Sequence, residues 1–104
     1  MSRVQIHYDK NKLTAFCERW KMLEMSFWGV VLQPGFMPGQ PVQMVIAYRP
    51  NVKWKLSEEL TMVDELVGVL GQPVDIQQRN VVEANPDPAY RDMVLGDLET
   101  VYEM

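Results

Sequence analysis

Few residues of this 104-residue chain have the type and spacing that chemistry needs. His7 is the only histidine, so no imidazole pair is available to grip a metal. Its place in the opening segment, MSRVQIHYDKNK, reads as mobile surface. Cys17 is the only cysteine and excludes an internal disulfide, a pattern that fits a reducing cytoplasm. It lies beside Phe16 on an apolar helix face, which argues for a buried, inert thiol over a reactive nucleophile. Arg49, Lys53 and Lys55, with Trp54 among them, come nearest to a basic aromatic patch. They are either a solvated loop or a contact for phosphate or nucleic acid. Asp75 is a lone carboxylate in the run PVDIQQ, suited to hydrogen bonding at a strand edge or to a weak metal contact. Gly68 and Gly71 bracket a helix end, and no Gly-x-Gly-x-x-Gly or Walker pattern occurs.

The elements that must position these groups follow from periodicity. Asp9 or Asn11 can cap a helix over 11–20, with Leu13, Phe16, Cys17 and Trp20 at helical spacing. Residues 22–31, MLEMSFWGVV, suit a first strand. Pro34, Gly35, Pro38, Gly39 and Pro41 exclude regular structure over 32–41. Residues 42–48, VQMVIAY, predict a second strand buried on both faces. After a loop over 49–56, Ser57 caps a helix with Glu58 and Glu59 in its first turn. Leu60, Val63, Leu66, Val67 and Leu70 would line its inner face, and Gly71 would stop it. Residues 73–78 predict a third strand. Asp87 and Pro88 open a last helix running to about 102, with Tyr90, Val94, Leu98 and Val101 inward. The order α-β-β-α-β-α implies one α/β (α+β) domain over 1–104, a small mixed sheet flanked by helices.

Composition narrows the function classes. Apolar content of 47% and charge of 23% are ordinary for a folded protein that needs no disulfide or metal to hold its core. A net charge of −4 and a pI of about 4.9 disfavour direct nucleic-acid binding, which calls for a basic footprint. No stretch approaches the roughly 20 apolar residues of a membrane span, and the first residues do not look like a signal peptide. A cytoplasmic protein is expected. The eight methionines are core filler or an adaptable binding face.

Residues 27–48, FWGVVLQPGFMPGQPVQMVIAY, have the layout strand, Gly-containing turn, loop, strand. The segment resembles the signature of minimal nucleotidyltransferases (MNT), a prokaryotic family of the DNA polymerase beta superfamily: Gly-Ser, ten residues, Asp-x-Asp. Here Gly29 holds the glycine position and Val30 the serine position. Ten residues follow, Val31 to Gln40, and the two aspartate positions are Pro41 and Gln43. FCERWKMLEMSFWG is similar to the family's first helix leading into its strand. Phe36 and Pro38 also stand where family members often carry those residues. LGQPVDIQ is similar to the segment bearing the family's third aspartate, here Asp75, and PAYRDMVLGDLETVYE resembles its closing helix.

The resemblance implies a nucleotidyltransferase-like fold whose active relatives use magnesium and ATP. In those relatives the strand aspartates hold divalent metal on the nucleotide phosphates. Magnesium demands hard oxygen ligands, and Pro41 offers none while Gln43 offers only a neutral carbonyl. The expectation is a pseudoenzyme with no cofactor. It would act through protein–protein interaction, as the antitoxin-like partner of a helical HEPN-domain protein, or through self-association. Leu32, Met37, Met44 and Trp54 are the candidate interface residues, Trp54 either lying there or folding back on the core. The alternative is a nucleotide-binding sensor or a weakly active nucleotidyltransferase using Asp75. Gly29, Gln43, Asp75, Arg49, Lys53 and Lys55 would then be the nucleotide-binding groups.

Overall fold

A computed structural model describes residues 2–104. Asp9 opens the first helix, its carboxylate accepting the backbone N–H groups of Asn11 and Lys12 at 2.8 and 3.1 Å. Of the two candidate caps it is therefore Asp9 that starts α1 (Lys10–Arg19). Leu13, Phe16 and Cys17 are buried along one face, and Trp20 joins them just past the helix. The first strand, β1 (Met22–Trp28), is shorter than its apolar sequence predicts. Gly29 adopts φ 79°, which ends the extended run and starts a 3-10 turn over Gly29–Leu32.

The second strand, β2 (Val42–Tyr48), has the predicted bounds and is buried on both faces along its centre. The helix α2 (Leu56–Leu70) begins two residues earlier than expected, with Lys55 rather than Ser57 at the cap position. Glu58 explains this: its side chain reaches back to accept the Lys55 backbone N–H at 2.9 Å. Gly71, at φ 69°, ends the helix as predicted. The inward row is Met62, Leu66 and Leu70, whereas Leu60 is 61% exposed. The predicted inner face thus mixed two rows of one helix, only one of which meets the core.

β3 (Val74–Gln78) lies parallel to β2. The expected C-terminal helix from Pro88 to about 102 divides into α4 (Pro88–Leu95) and a fourth strand, β4 (Glu99–Glu103), and an unpredicted short helix, α3 (Arg79–Glu83), precedes α4. Asp87 caps α4 through the Ala89 N–H, and Pro88 starts it. The helix stops at Gly96, and the run Thr100-Val101-Tyr102 suits a strand. The order is α-β-β-α-β-α-α-β, and the sheet runs β3-β2-β1-β4.

Alternation along the strands divides the core between the two sheet faces. Met22, Met25, Phe27, Val42, Met44 and Ile46 join Leu13, Phe16, Met62 and Leu66 of α1 and α2 in the main cluster. Trp28 and Val45 face the other way, onto Val82 of α3 and Val94 of α4. Residues 2–8 are not the loose segment their polarity suggests. Val4, Ile6 and Tyr8 pack on the main cluster, and the Gln5 N–H donates to the Val31 carbonyl at 2.9 Å. Arg3 pairs with Asp97 at 2.9 Å. His7 remains exposed. Among the described residues, no helix is long and apolar enough to cross a membrane.

Candidate functional site

Register brings the five resemblance positions to one end of the sheet. β1 and β2 pair antiparallel with Trp28 opposite Gln43, which sets Gly29 and Val30 just beyond that pair. β2 and β3 pair in parallel with Gln43 beside Asp75 and Val42 beside Val74, so Pro41 lies just outside the first rung. Gln43 and Asp75 share the sheet face of Val45 and Gln77, the side covered by α3 and α4. The Tyr90 hydroxyl of α4 donates to Gln77 Oε1 at 2.8 Å on this face.

Within the cluster one contact is specific. The space that a Cβ on residue 29 would need is occupied by Oε1 of Gln43. The positive φ favours glycine at 29, and any Cβ there would also have to push the flexible Gln43 amide aside. Val30 and Pro41 are exposed, Asp75 is exposed, and Gln43 is half-buried. Trp28 is 8% exposed, and its indole N–H is buried on this same face without a partner among the described residues.

The donor set does not fit a divalent metal pair. Gln43 supplies one neutral oxygen, Pro41 and Val30 supply no side-chain ligand, and Asp75 supplies one carboxylate. Two-metal chemistry needs several anionic oxygens around ions a few ångströms apart. Among the described residues, no group of three His, Cys, Asp or Glu side chains is placed to hold an ion.

The basic residues lie elsewhere. Arg49 follows the opposite end of β2, six residues from Gln43 and so about 20 Å along the strand. Its guanidinium holds the two neighbouring strands together, donating to the Met22 carbonyl and the Tyr102 hydroxyl, each at 3.0 Å. Lys53 and Lys55 belong to that same end, flanking Trp54. The fold therefore does not bring Arg49, Lys53 and Lys55 to Gly29, Gln43 and Asp75.

Of the apolar residues expected at an interface, Leu32 and Met44 are 3% and 0% exposed and present no surface. Met44 faces the main cluster by strand alternation with Val42 and Ile46, and Leu32 closes the 3-10 turn beneath it. Met37 is well exposed. Trp54 folds back: its ring meets Trp20 edge-on at 5.0 Å and its N–H donates to the Trp20 carbonyl at 3.2 Å. Cys17 is fully buried, and burial, followed by the nearby Glu18 charge, pushes its thiol up to about 12. That protonated state makes it a poor nucleophile.

One feature escaped the sequence reading. A groove of about 390 Å³ runs between α2 and the β3–α3 edge, lined by Tyr48, Leu56, Leu60, Val63, Ile76 and Val81 among others. Burial, and then the hydrogen bond to Glu59 at 3.0 Å, raise the Tyr48 phenol above its ordinary range. The available signal is the apolar spacing 56, 60, 63 along α2, of which Leu60 and Val63 fall in the predicted inner face and Leu56 in the predicted loop.

No protein-family model matches the sequence, and no curated protein does. Solved structures do match in shape. A crystal structure of a toxin–antitoxin MntA–HpeT mutant superposes with a TM-score of 0.65 at 10% identity, covering 92% of this chain and 74% of that one. A crystal structure of the toxin–antitoxin with AMP-PNP gives a TM-score of 0.67 at 10% identity, with the same coverage. At that identity the likeness speaks for the fold, a mixed four-stranded sheet with helices of the nucleotidyltransferase-like type.

Proposed function

We propose that this chain is a degenerate minimal nucleotidyltransferase that acts by binding a partner protein and transfers no nucleotide. The observation that carries the reading is the register-matched cluster at the sheet end. The residues at the resemblance positions lie together at that end, and they are Val30, Pro41 and Gln43 beside a single carboxylate, Asp75. A Gln43 amide packed over the Gly29 backbone occupies ground where a phosphate would need room.

The shape likeness to structures of a toxin–antitoxin supports an antitoxin role. The partner would be a helical HEPN-type toxin, covered by occlusion in the cytoplasm, where Cys17 stays reduced. Recognition by surface alone needs no metal, nucleotide or activated group, consistent with the chemistry present.

The test is co-expression of the chain with a HEPN-type toxin, followed by incubation of the purified complex with labelled ATP and manganese. Rescue of growth without label on the toxin is the expected result. Label transfer that disappears in Asp75→Ala would overturn the inactive assignment, and failure of the two proteins to copurify would overturn the partner. Calorimetric titration with ATP, with and without magnesium, checks the nucleotide question directly, and no heat is expected in either buffer.

A further inference from the structure

The sheet has two outer strands, β3 and β4, and they are protected unequally. β4 is bracketed by Glu99 and Glu103 and meets β1 through a register shift between Met25 and Ser26. Its start is also strapped, with the Ser2 hydroxyl and the Arg3 N–H both donating to the Glu99 carboxylate. Charge, irregular register and cover are the usual devices that stop an edge strand from pairing further. β3 has little of this. It runs in unbroken register on β2 from Val74 to Gln78, and its one charge is Asp75. Among the described residues, Asp75, Ile76 and Gln77 make no backbone hydrogen bond other than in the β2 ladder.

Beside this open edge lies the apolar groove. Leu56, Leu60 and Val81 on its walls are 73%, 61% and 61% exposed. A strand edge alone is a small contact, since five residues span only about 17 Å. A stable interface takes about 800 Å² from each partner. The exposed walls of the groove add apolar surface beside the edge.

We propose that the β3 edge and this groove form one self-association surface, filled by the same surface of a second copy about a two-fold axis. A two-fold contact asks each partner for a patch that complements itself, and this surface meets that demand. With the axis at Ile76, antiparallel pairing of the two β3 strands sets Val74 against Gln78 and Asp75 against Gln77. The strands' only charges are then not opposed. The same operation joins two four-stranded sheets and places both α2 helices on one side of the junction. There the rows Leu56, Leu60 and Val63 of the two copies cover one another. A different partner would have to offer a free strand and an apolar row at this spacing, which a second copy does by construction.

This proposal does not depend on the antitoxin reading, and its test uses the purified chain alone. Sedimentation equilibrium from low to high micromolar concentration should return a reversible dimer. Leu60→Glu and Val81→Glu alter exposed positions, so circular dichroism should be unchanged while dimerisation weakens at least tenfold. Amide exchange in β3 should slow with concentration in the parent chain and not in Leu60→Glu. A monomer at every concentration overturns the proposal. So does a dimer that survives both substitutions, or one that leaves β3 exchange unaltered.

Discussion

The Gln43 side-chain carbonyl lies where the Cβ of any residue but glycine at position 29 would have to be. The two residues are coupled through the hairpin register, because Trp28, the neighbour of Gly29, is the cross-strand partner of Gln43. At Gly29 the missing Cβ leaves room for an amide of the same chain.

A double-mutant cycle measures this coupling. Gly29→Ala should cost about 2–3 kcal/mol in urea unfolding, from the left-handed φ and from displacement of the glutamine. In a Gln43→Ala background the same substitution should cost only the backbone part, about 1–2 kcal/mol. Equal costs in the two backgrounds would show that the packed amide contributes nothing.

Introducing carboxylates at the resemblance positions should create ion binding before any activity. Pro41→Asp with Gln43→Asp sets two aspartates beside Asp75 at the same sheet end. Three like charges should lower the melting temperature without metal, and manganese should recover it by binding the folded state. Manganese affinity by calorimetry should rise at least about tenfold over the parent, roughly 1.4 kcal/mol, and fall again with Asp75→Asn. No gain in affinity would mean that the sheet end does not hold the family geometry.

The tryptophans should respond unequally to loss of the indole N–H. Trp20 donates to Glu65 at 3.0 Å, whereas the Trp28 N–H is buried and unpaired. A buried donor without an acceptor is a cost that phenylalanine removes. Trp20→Phe should therefore destabilise by at least about 1 kcal/mol more than Trp28→Phe in urea denaturation. The reverse ranking would show that Trp28 finds an acceptor in solution.

Acid sensitivity should trace in part to Glu99. Burial raises its carboxyl, but the Arg3 N–H, the Ser2 hydroxyl and the Arg3 charge outweigh burial and leave it below the ordinary carboxylate range. The folded chain thus holds the ionised form more tightly than the unfolded chain does. The resulting stability is complete above the unfolded carboxylate value of about 4.3 and disappears as pH falls through the lower folded value. Urea midpoints measured from about pH 6 downward should fall less steeply in Glu99→Gln than in the parent. Parallel curves would place the acid-sensitive group elsewhere.

The legible parts of the fold were those whose signals are local. Asp9 at its helix start, Gly71 at its helix end and the apolar run Val42–Tyr48 each carry their structure within a few residues. β4 does not. Tyr90, Val94, Leu98 and Val101 fit a helical period, and what makes 99–103 a strand is β1, a partner far away in sequence. The site divides in the same way. The grouping of Gly29, Pro41, Gln43 and Asp75 came from the family resemblance, and the hairpin and parallel registers bring these residues to one sheet end. The remoteness of Arg49, Lys53 and Lys55 was not, since a loop in sequence does not say at which strand end it lies. Leu32 and Met44 were misplaced for want of knowing which strand face held the larger cluster.

The late position of β4 also orders the folding reaction. Trp28 meets Gln43 across a short loop, whereas Glu24 must wait for Glu103, so the β1–β2 hairpin can nucleate long before β1 gains its second neighbour. Closure over so many residues is entropically slow. Until it happens, β1 has one flank open and the Glu99 strap is unmade. Substitutions in β4 should therefore speed unfolding far more than they slow folding, and the half-finished sheet is the species a chaperone would meet.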